Sequence, residues 1–219
     1  MLTMSTPFLI ITYMKKLAAS NGTDKTGKKG KTYHHGDLPR AMLTDAVRTI
    51  QRQGIDSLTL RGVGERLGVS RSALYRHFAN KNALLQAVAA EGFRLLQAKL
   101  QHAWQGTGGG LSGFDTMGTA YIQFAVRHPA HYRVMFGSGP QSADAYGSTD
   151  AFGTLVSAIK ALQRAGTMRS DDPRQLALYV WSVVHGVAML ALDGILRTPA
   201  EIKMLTQFAI ERLTTGIGA

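Results

Sequence analysis

The chain has 219 residues, of which 45% are hydrophobic, so it can bury the core of one large domain or of two modest ones. It contains no cysteine, which excludes disulfides, cysteine-ligated zinc and thiol catalysis. Its net charge is +11, and the first 33 residues hold six lysines against one aspartate. This distribution favours a polyanion over a membrane surface as partner, because no basic amphipathic helix accompanies the lysines.

Residues 1–33 are predicted to form a disordered basic leader. Residues 20–33 combine glycine and lysine with other polar side chains and lack the apolar groups that a core requires. Such an arm either contacts DNA or acts only as a solubilising tail. The apolar run 7–13 precedes Lys15 and Lys16, which is the reverse of a secretory signal, and Met14 is the expected true start.

A first helix is predicted over about Asp37–Gln53, and a helix-turn-helix follows it. Thr59 is a good N-cap for the next helix, and Gly68 can close that helix by adopting a positive φ. Between them one apolar face repeats at helical spacing, formed by Leu60, Val63 and Leu67. Ser70 then caps a second short helix, so residues 34–80 are predicted to form one DNA-binding unit.

The outward face of the helix after Ser70 is suited to DNA. It offers hydrogen-bond donors, a phenol and positive charge without any carboxylate, from Arg71, Ser72, Tyr75, Arg76 and His77. A helix that enters the major groove needs such a face. The alternative is an ordinary helical hairpin with a solvated charged face, and the helix–glycine–helix pattern alone does not decide between them.

Short motifs between about Tyr33 and Phe93 resemble, in order and spacing, the DNA-binding domain of the tetracycline-repressor (TetR) family of bacterial transcriptional regulators. They are Tyr33-His-His-Gly-Asp-Leu38, Leu60-Arg61, Gly68-Val69-Ser70, Leu74-Tyr75-Arg-His77-Phe78 and Asn80-Lys81. The resemblance implies a homodimer on palindromic double-stranded DNA, an all-helical C-terminal domain and a small-molecule effector. It also implies DNA contacts from Thr59, Arg61, Ser70, Arg71, Ser72, Tyr75, Arg76, His77 and Lys81.

The rest of the chain is predicted to be helical, because alternating β-branched runs and Asn-Gly hairpins are absent from the sequence. The predicted fold is therefore all-α, with about nine helices. A linking fourth helix over residues 81–105 leads to a C-terminal domain at residues 106–219. Loops are predicted at Gly106–Gly113 and Gly137–Thr149. The remaining helices are predicted at Phe114–Arg127, Ala130–Phe136, Asp150–Ala165, Pro173–Leu192 and Pro199–Thr215.

The predicted eighth helix carries Trp181-Ser-Val-Val-His185-Gly186, which resembles the Trp-x-x-x-His-Gly pattern of one C-terminal subgroup of the family. Trp181 and His185 share a helix face. They either form a pocket wall, with His185 as a polar handle, or His185 is a core histidine bonded to another helix. An apolar or aromatic effector is predicted to contact Tyr121, Phe124, Tyr132, Met135, Phe152, Trp181, His185 and Met189. For each of the aromatic and methionine residues outside the Trp-x-x-x-His-Gly pattern, the alternative is an ordinary place in the core.

Helices eight and nine are the predicted dimer interface, because each carries an apolar stripe. The stripes are Leu176, Tyr179, Val183, Val187 and Leu190, and Ile202, Leu205, Ala209 and Leu213. No apolar run in the sequence is expected to reach the roughly 20 residues of a membrane span, and a cytoplasmic location is expected.

Catalysis, a cofactor and a metal site are not predicted. The sequence has no nucleophile elbow or metal-ligand spacing, and no acidic third ligand lies near His128 and His131 in the chain. A DNA-packaging protein without a ligand is the other alternative, but it would not need a large C-terminal half. The expected protein is a ligand-responsive repressor.

Overall fold

The computed structural model describes residues 37–137 and 150–218. Within these residues the chain folds into nine helices, with one isolated β-bridge between Met168 and Gly218. The predicted all-α fold is confirmed. The predicted leader with its start at Met14, residues 33–36 of the first motif, and residues 138–149 of the second predicted loop lie outside the described residues.

The helices follow the predicted order closely. The first four are α1 (Leu38–Gln53), α2 (Leu60–Leu67), α3 (Arg71–His77) and α4 (Lys81–Gly106). The other five are α5 (Gly110–Arg127), α6 (Pro129–Phe136), α7 (Asp150–Arg164), α8 (Pro173–Leu192) and α9 (Pro199–Ile217).

Short polar side chains begin these helices, as their sequence positions predict. The Thr59 hydroxyl accepts from the backbone N–H of Gly62 at 3.0 Å, and the Asn80 side chain accepts from that of Ala83 at 2.9 Å. Thr198 and Glu201 form a reciprocal capping box at the start of α9. Each bond satisfies a helix-start N–H that has no partner within the helix.

The break between α4 and α5 is shorter than predicted. Only residues 107–109 separate the two helices, because residues 110–113 form the first turn of α5 instead of a loop. Gly108 and Gly109 have φ values of +75° and +78°, which glycine adopts without strain, so the chain reverses over a few residues. Gly113 tolerates the helix because its backbone packs on Trp104, where a Cβ would lie 3.1 Å from the ring.

The described residues form two hydrophobic cores, and α4 and α6 contribute to both. The N-terminal core joins α1, α2 and α3 to the start of α4, and it includes Ala130 and Val134 from α6. The C-terminal core joins the rest of α4 to the later helices, and it includes Tyr132 and Met135 from α6. The short helix α6 therefore lies between the two cores and contacts each with a different side.

The crossing of α4 and α6 is close. A Cβ on Gly92 of α4 would lie 2.5 Å from the Met135 sulfur and 3.2 Å from Cβ of His131. His131 Nε2 also lies 3.1 Å from the Glu91 carboxylate, an acidic partner forty positions away that inspection of the neighbouring sequence does not reveal. Within the described ranges, however, no group of three or more His, Cys, Asp or Glu is arranged to hold a metal ion.

α8 is long and apolar enough to cross a membrane by length and mean hydropathy, so the expectation that no such run exists is wrong. A core helix in a helical domain passes the same test. One side of α8 packs in the C-terminal core through Ala177, Val184 and Ala188, whereas Tyr179 and Leu190 are exposed. A helix with apolar groups on two sides is typical of one that packs in its own core and also meets another surface.

Candidate nucleic-acid interface and ligand cavity

Both glycines within α2 lie at crowded positions, Gly64 against α3 and Gly62 against side chains of its own helix and cap. A Cβ on Gly64 would lie 2.5 Å from Cδ1 of Leu74, which is fully buried on α3. A Cβ on Gly62 would lie 3.0 Å from the Thr59 hydroxyl and 3.1 Å from the Arg66 guanidinium. The cost of glycine in a helix, about 0.5–1 kcal/mol each, is thus offset by contacts that a larger residue would prevent.

An ion pair joins α2 to α1. The Arg66 guanidinium donates to the Asp45 carboxylate through Nε at 2.9 Å and Nη2 at 2.7 Å. Asp45 is buried, and its hydrogen bond is the main reason that the pKa of Arg66 is raised. A two-point contact of this kind fixes the orientation of a helix more tightly than a single bond does.

We expect Gly64→Ala to destabilise the protein by about 1–3 kcal/mol, because the added methyl group forces Leu74 out of its packed position. Gly153→Ala on α7 is the matched control, since no atom lies within 4 Å of its Cβ position. Urea unfolding followed by circular dichroism measures both changes. An unchanged midpoint for Gly64→Ala would show that α3 can move away at no cost.

Eight of the nine predicted DNA-contacting residues are exposed, and Lys81 is half-buried. Tyr75 is 46% exposed, which is unusual for so large an apolar ring, and the Arg71 guanidinium carbon lies 5.3 Å from the ring centroid. The Ser70 and Ser72 hydroxyl oxygens are 3.1 Å apart. The exposed face of α3 therefore presents an aromatic ring, hydroxyls and guanidinium groups together.

Two of the predicted cationic side chains, those of Arg61 and Lys81, donate hydrogen bonds to an oxygen within the chain. Arg61 pairs with Glu65 at 2.8 Å, and this hydrogen bond raises the pKa of Arg61. The Lys81 ammonium donates to the Asp56 carbonyl at 3.3 Å. Exposed pairs of this kind contribute little to stability, so neither contact fixes its side chain strongly.

A cavity opens in the C-terminal core among α4 to α9, with about 690 Å³ of empty space including its mouth. Its wall is nearly all hydrocarbon and includes Phe93, Phe114, Met117, Phe136, Leu155 and Ile210. Tyr121 and Trp181 are the described lining residues with a polar side-chain atom, and no charged side chain is among them.

A hydrogen-bonded cluster lies at this wall. Trp181 Nε1–H donates to the Tyr121 hydroxyl at 2.7 Å, and the Tyr121 hydroxyl lies 3.1 Å from that of Tyr132. His185 Nδ1 lies 2.7 Å from the Tyr132 hydroxyl and 3.0 Å from that of Tyr121. Burial lowers the pKa of His185, and burial is also the main cause that raises the pKa of Tyr132, so both groups are neutral at pH 7.

Only part of the predicted ligand set lines the cavity. Tyr121, Phe152 and Trp181 are in its wall. The other predicted residues are not lining residues: Phe124, Tyr132 and Met135 are buried in the core, and His185 and Met189 are half-buried. His185 is bonded to two other helices, which matches the core interpretation of this histidine.

Several wall residues were missed by sequence reasoning, although α5 contains a signal for them. Phe114, Met117, Gly118 and Tyr121 recur at helical spacing and all line the cavity. Nothing in the sequence distinguishes such a stripe from ordinary core. Phe136 and Ile210 reach the cavity only through the packing of α6 and α9, which no local pattern reveals.

Two family profiles match the chain. The family described as bacterial regulatory proteins, tetR family, matches residues 42–88. A tetracyclin repressor-like C-terminal domain matches residues 114–213. The two matches cover the helix-turn-helix and most of the part that contains the cavity.

Individual proteins agree with this assignment. The class A tetracycline repressor of Escherichia coli is 47% identical over 51 residues, a match that spans 23% of this chain and only 24% of that repressor. A helix-turn-helix transcriptional regulator of Mycobacterium tuberculosis is 25% identical over 81% of this chain and 82% of its own length. A solved structure of a Rhodococcus protein of unknown function superposes with a TM-score of 0.76 and 29% identity, over 87% of this chain and 100% of that one.

Proposed function

Since the chain belongs to the tetracycline-repressor family of DNA-binding transcriptional regulators, we propose that it is a repressor released from a palindromic operator by an uncharged, apolar ligand. One observation carries the proposal: α6 contacts both the core of the helix-turn-helix and, through Phe136, the wall of the cavity. A ligand in the cavity can therefore alter the DNA-binding end through a single short helix.

DNA recognition is assigned to the exposed face of α3. Tyr75 and Ser72 are the proposed contacts to base edges, and His77 and Lys81 the proposed contacts to phosphate. Arg61 reaches a base or a phosphate after it leaves Glu65. Thr59, Ser70, Arg71 and Arg76 complete the proposed surface, and the two capping hydroxyls serve DNA in addition to their own helices.

A homodimer supplies the second recognition helix. The support is a set of large apolar side chains that α8 and α9 leave exposed: Leu178, Tyr179, Leu190, Met204 and Phe208. The predicted stripes need correction here, because Leu176, Val187, Ala209 and Leu213 are buried in the C-terminal core of their own chain. A two-fold dimer places its recognition helices about 34–36 Å apart, or a multiple of that, on palindromic DNA.

The ligand is proposed to be uncharged because the lining residues that the structure describes include no charged side chain to compensate a charge. Burying an unpaired charge costs several kcal/mol, whereas aromatic and methionine side chains accommodate an apolar body at no such cost. The Trp-x-x-x-His-Gly pattern at Trp181 supports placing the chain in the subgroup that carries it. A ligand-independent packaging protein would have no use for this cavity, and catalysis has no part in the proposal.

The transmission route is α6. Phe136 ends this helix at the cavity, and Ala130 and Val134 lie six and two residues earlier, in the core beneath the helix-turn-helix. A ligand shifts DNA affinity only by binding the two conformations differently. Typical coupling of about 1–3 kcal/mol corresponds to roughly 5–150-fold weaker operator binding.

Two measurements test the function. Selection of binding sites from random DNA should yield an inverted repeat, and N-phenylnaphthylamine, an uncharged fluorescent probe, should bind the protein and lower its affinity for that repeat. Its sulfonate analogue, anilinonaphthalene sulfonate, has the same rings with a negative charge and should not compete for the cavity. If the selection recovered no preferred sequence, the proposed operator binding would be refuted. If both probes bound the cavity equally, the proposed preference for an uncharged ligand would be refuted.

Ala151→Leu is expected to weaken probe binding by about tenfold or more, because the added carbons occupy space inside the wall. Ala161→Leu is the matched control, since it makes the same change on α7 at a half-buried position that is not a lining residue. Fluorescence titration measures both affinities. Equal loss in the two variants would mean that the probe binds elsewhere.

A further inference from the structure

We propose that His185 is a positioning residue, whose Nδ1 is the final acceptor of a hydrogen-bond chain that starts at Trp181 and ties the cavity wall to α6. The inference rests on the proposed ligand cavity and goes beyond it, because it gives His185 a role that requires no contact with the ligand. The imidazole nitrogen that matters is the one facing Tyr132, not the one on the opposite side of the ring.

The direction of the chain follows from its donors and acceptors. An indole nitrogen only donates, so Tyr121 must accept from Trp181 at 2.7 Å. The shortest contact of Tyr132 is the 2.7 Å one to His185 Nδ1, which makes that nitrogen the natural acceptor of the Tyr132 hydrogen. Tyr121 then donates either to Tyr132 across 3.1 Å or directly to His185 Nδ1 across 3.0 Å, and both routes end with Nδ1 as the acceptor.

The other neutral tautomer of His185, with its hydrogen on Nδ1, fits the hydrogen-bond distances less well. With a hydrogen on Nδ1, His185 would donate across the 2.7 Å contact, and the buried Tyr132 hydroxyl would have to donate across the longer 3.1 Å contact to Tyr121. The neutral form of His185 with its hydrogen on Nε2 lets Nδ1 accept the short bond from Tyr132, and Nε2 makes no hydrogen bond to the described residues.

The chain connects three helices, since Tyr121 belongs to α5, Tyr132 to α6, and Trp181 and His185 to α8. Tyr121 and Trp181 are in the cavity wall, whereas Tyr132 and His185 stand behind it with their rings stacked at 5.5 Å. Loss of the acceptor would leave the Tyr132 hydroxyl without its shortest bond in a buried position, which is unfavourable. The orientation of Trp181 and the position of α6 therefore both depend on His185.

Substitution of His185 by an amide residue tests the roles of the two imidazole nitrogens separately. The side-chain oxygen of asparagine comes close to the position of Nδ1, and that of glutamine comes close to the position of Nε2. We expect His185→Asn to bind N-phenylnaphthylamine within about threefold of the wild type, and His185→Gln and His185→Leu to bind it about tenfold or more weakly.

NMR spectroscopy gives a second test, which monitors the hydrogen-bond chain without any ligand. Trp104 and Trp181 are the only tryptophans, so in a Trp104→Phe background one indole N–H resonance remains in the NMR spectrum. This resonance should move in His185→Leu and in Tyr132→Phe, and it should return toward its original position in His185→Asn. The long-range nitrogen–hydrogen correlations of His185 should show the hydrogen on Nε2.

Several outcomes would overturn the proposal. Rescue by glutamine but not by asparagine would make Nε2 the important atom and His185 a direct ligand contact. An indole resonance that does not move in His185→Leu or in Tyr132→Phe would show that the hydrogen-bond chain does not exist. Thermal unfolding and the dimer mass identify variants that fail to fold, and in that case Tyr132→Phe provides the test. Operator binding by these variants is expected to persist, so loss of the probe response alone does not affect the proposed DNA-binding function.

Discussion

Tyr75→Ala is expected to weaken binding to the specific operator by roughly 30-fold or more, while binding to random DNA changes little. Contacts to base edges are worth about 1–3 kcal/mol each, and a two-fold dimer loses two copies at once. The expectation rests on the exposure of Tyr75 and on the Arg71 guanidinium above its ring, which holds the ring outward. Fluorescence anisotropy on the selected repeat and on a scrambled duplex measures the two affinities.

Two variants sharpen this experiment. Tyr75→Phe keeps the ring and removes the hydroxyl, so it separates stacking or methyl contacts from hydrogen bonding. Lys81→Ala should weaken both DNAs and reduce the salt dependence by about one unit of slope for each lost phosphate contact. If Tyr75→Ala weakened both DNAs equally, Tyr75 would be a phosphate or structural contact and not a reader of sequence.

Phe208→Asp is expected to raise the dimer dissociation constant by roughly 1,000-fold or more. Each copy loses the burial of a phenylalanine, worth about 1.5–3 kcal/mol, and gains a carboxylate in apolar surroundings. The side chain is 55% exposed in the single chain, so the fold itself should remain intact. Sedimentation velocity reports the mass, and affinity for the inverted repeat should fall to that of one half-site.

Gln101→Asp is the control for added charge, because Gln101 is exposed on a different helix, α4. It should leave both mass and DNA binding unchanged. A Phe208→Asp protein that stays dimeric at micromolar concentration would move the interface away from this part of α9. Met204 lies one turn earlier on α9 and is 67% exposed. If Met204→Asp then dissociates the dimer, the interface uses another part of α9; if it does not, the interface lies on another helix.

The sequence predicts best what is decided locally. The caps at Thr59, Ser70 and Asn80 and the left-handed Gly68 need only their immediate neighbours, and each occurs where it is predicted. The order of the nine helices in the described residues is predictable for the same reason. The loop predicted at Gly106–Gly113 is longer than the loop in the structure, because glycine content alone does not reveal that Gly113 packs against Trp104.

What the sequence could not supply is the arrangement of helices around the cavity. His185 is close to Trp181 along α8, as its spacing predicts, but its partners Tyr121 and Tyr132 are more than fifty positions away in the chain. Whether a histidine faces a cavity or two tyrosines depends on such distant contacts. The buried members of the predicted dimer stripes are explained similarly, since a helix with two apolar sides gives no sign of which side meets its own core.

The position of α6 bears on how this protein can be divided. The core beneath the helix-turn-helix is completed by Leu84 and Val88 from α4 and by Ala130 and Val134 from α6. A fragment that stops at residue 80 lacks all four side chains and exposes the groups they cover, so we expect it not to fold by itself. For the same reason, a hybrid regulator that joins this helix-turn-helix to the sensor half of a relative must keep the native α6 or redesign its N-terminal side. Without that, we expect the graft to leave a gap under the DNA-binding helices.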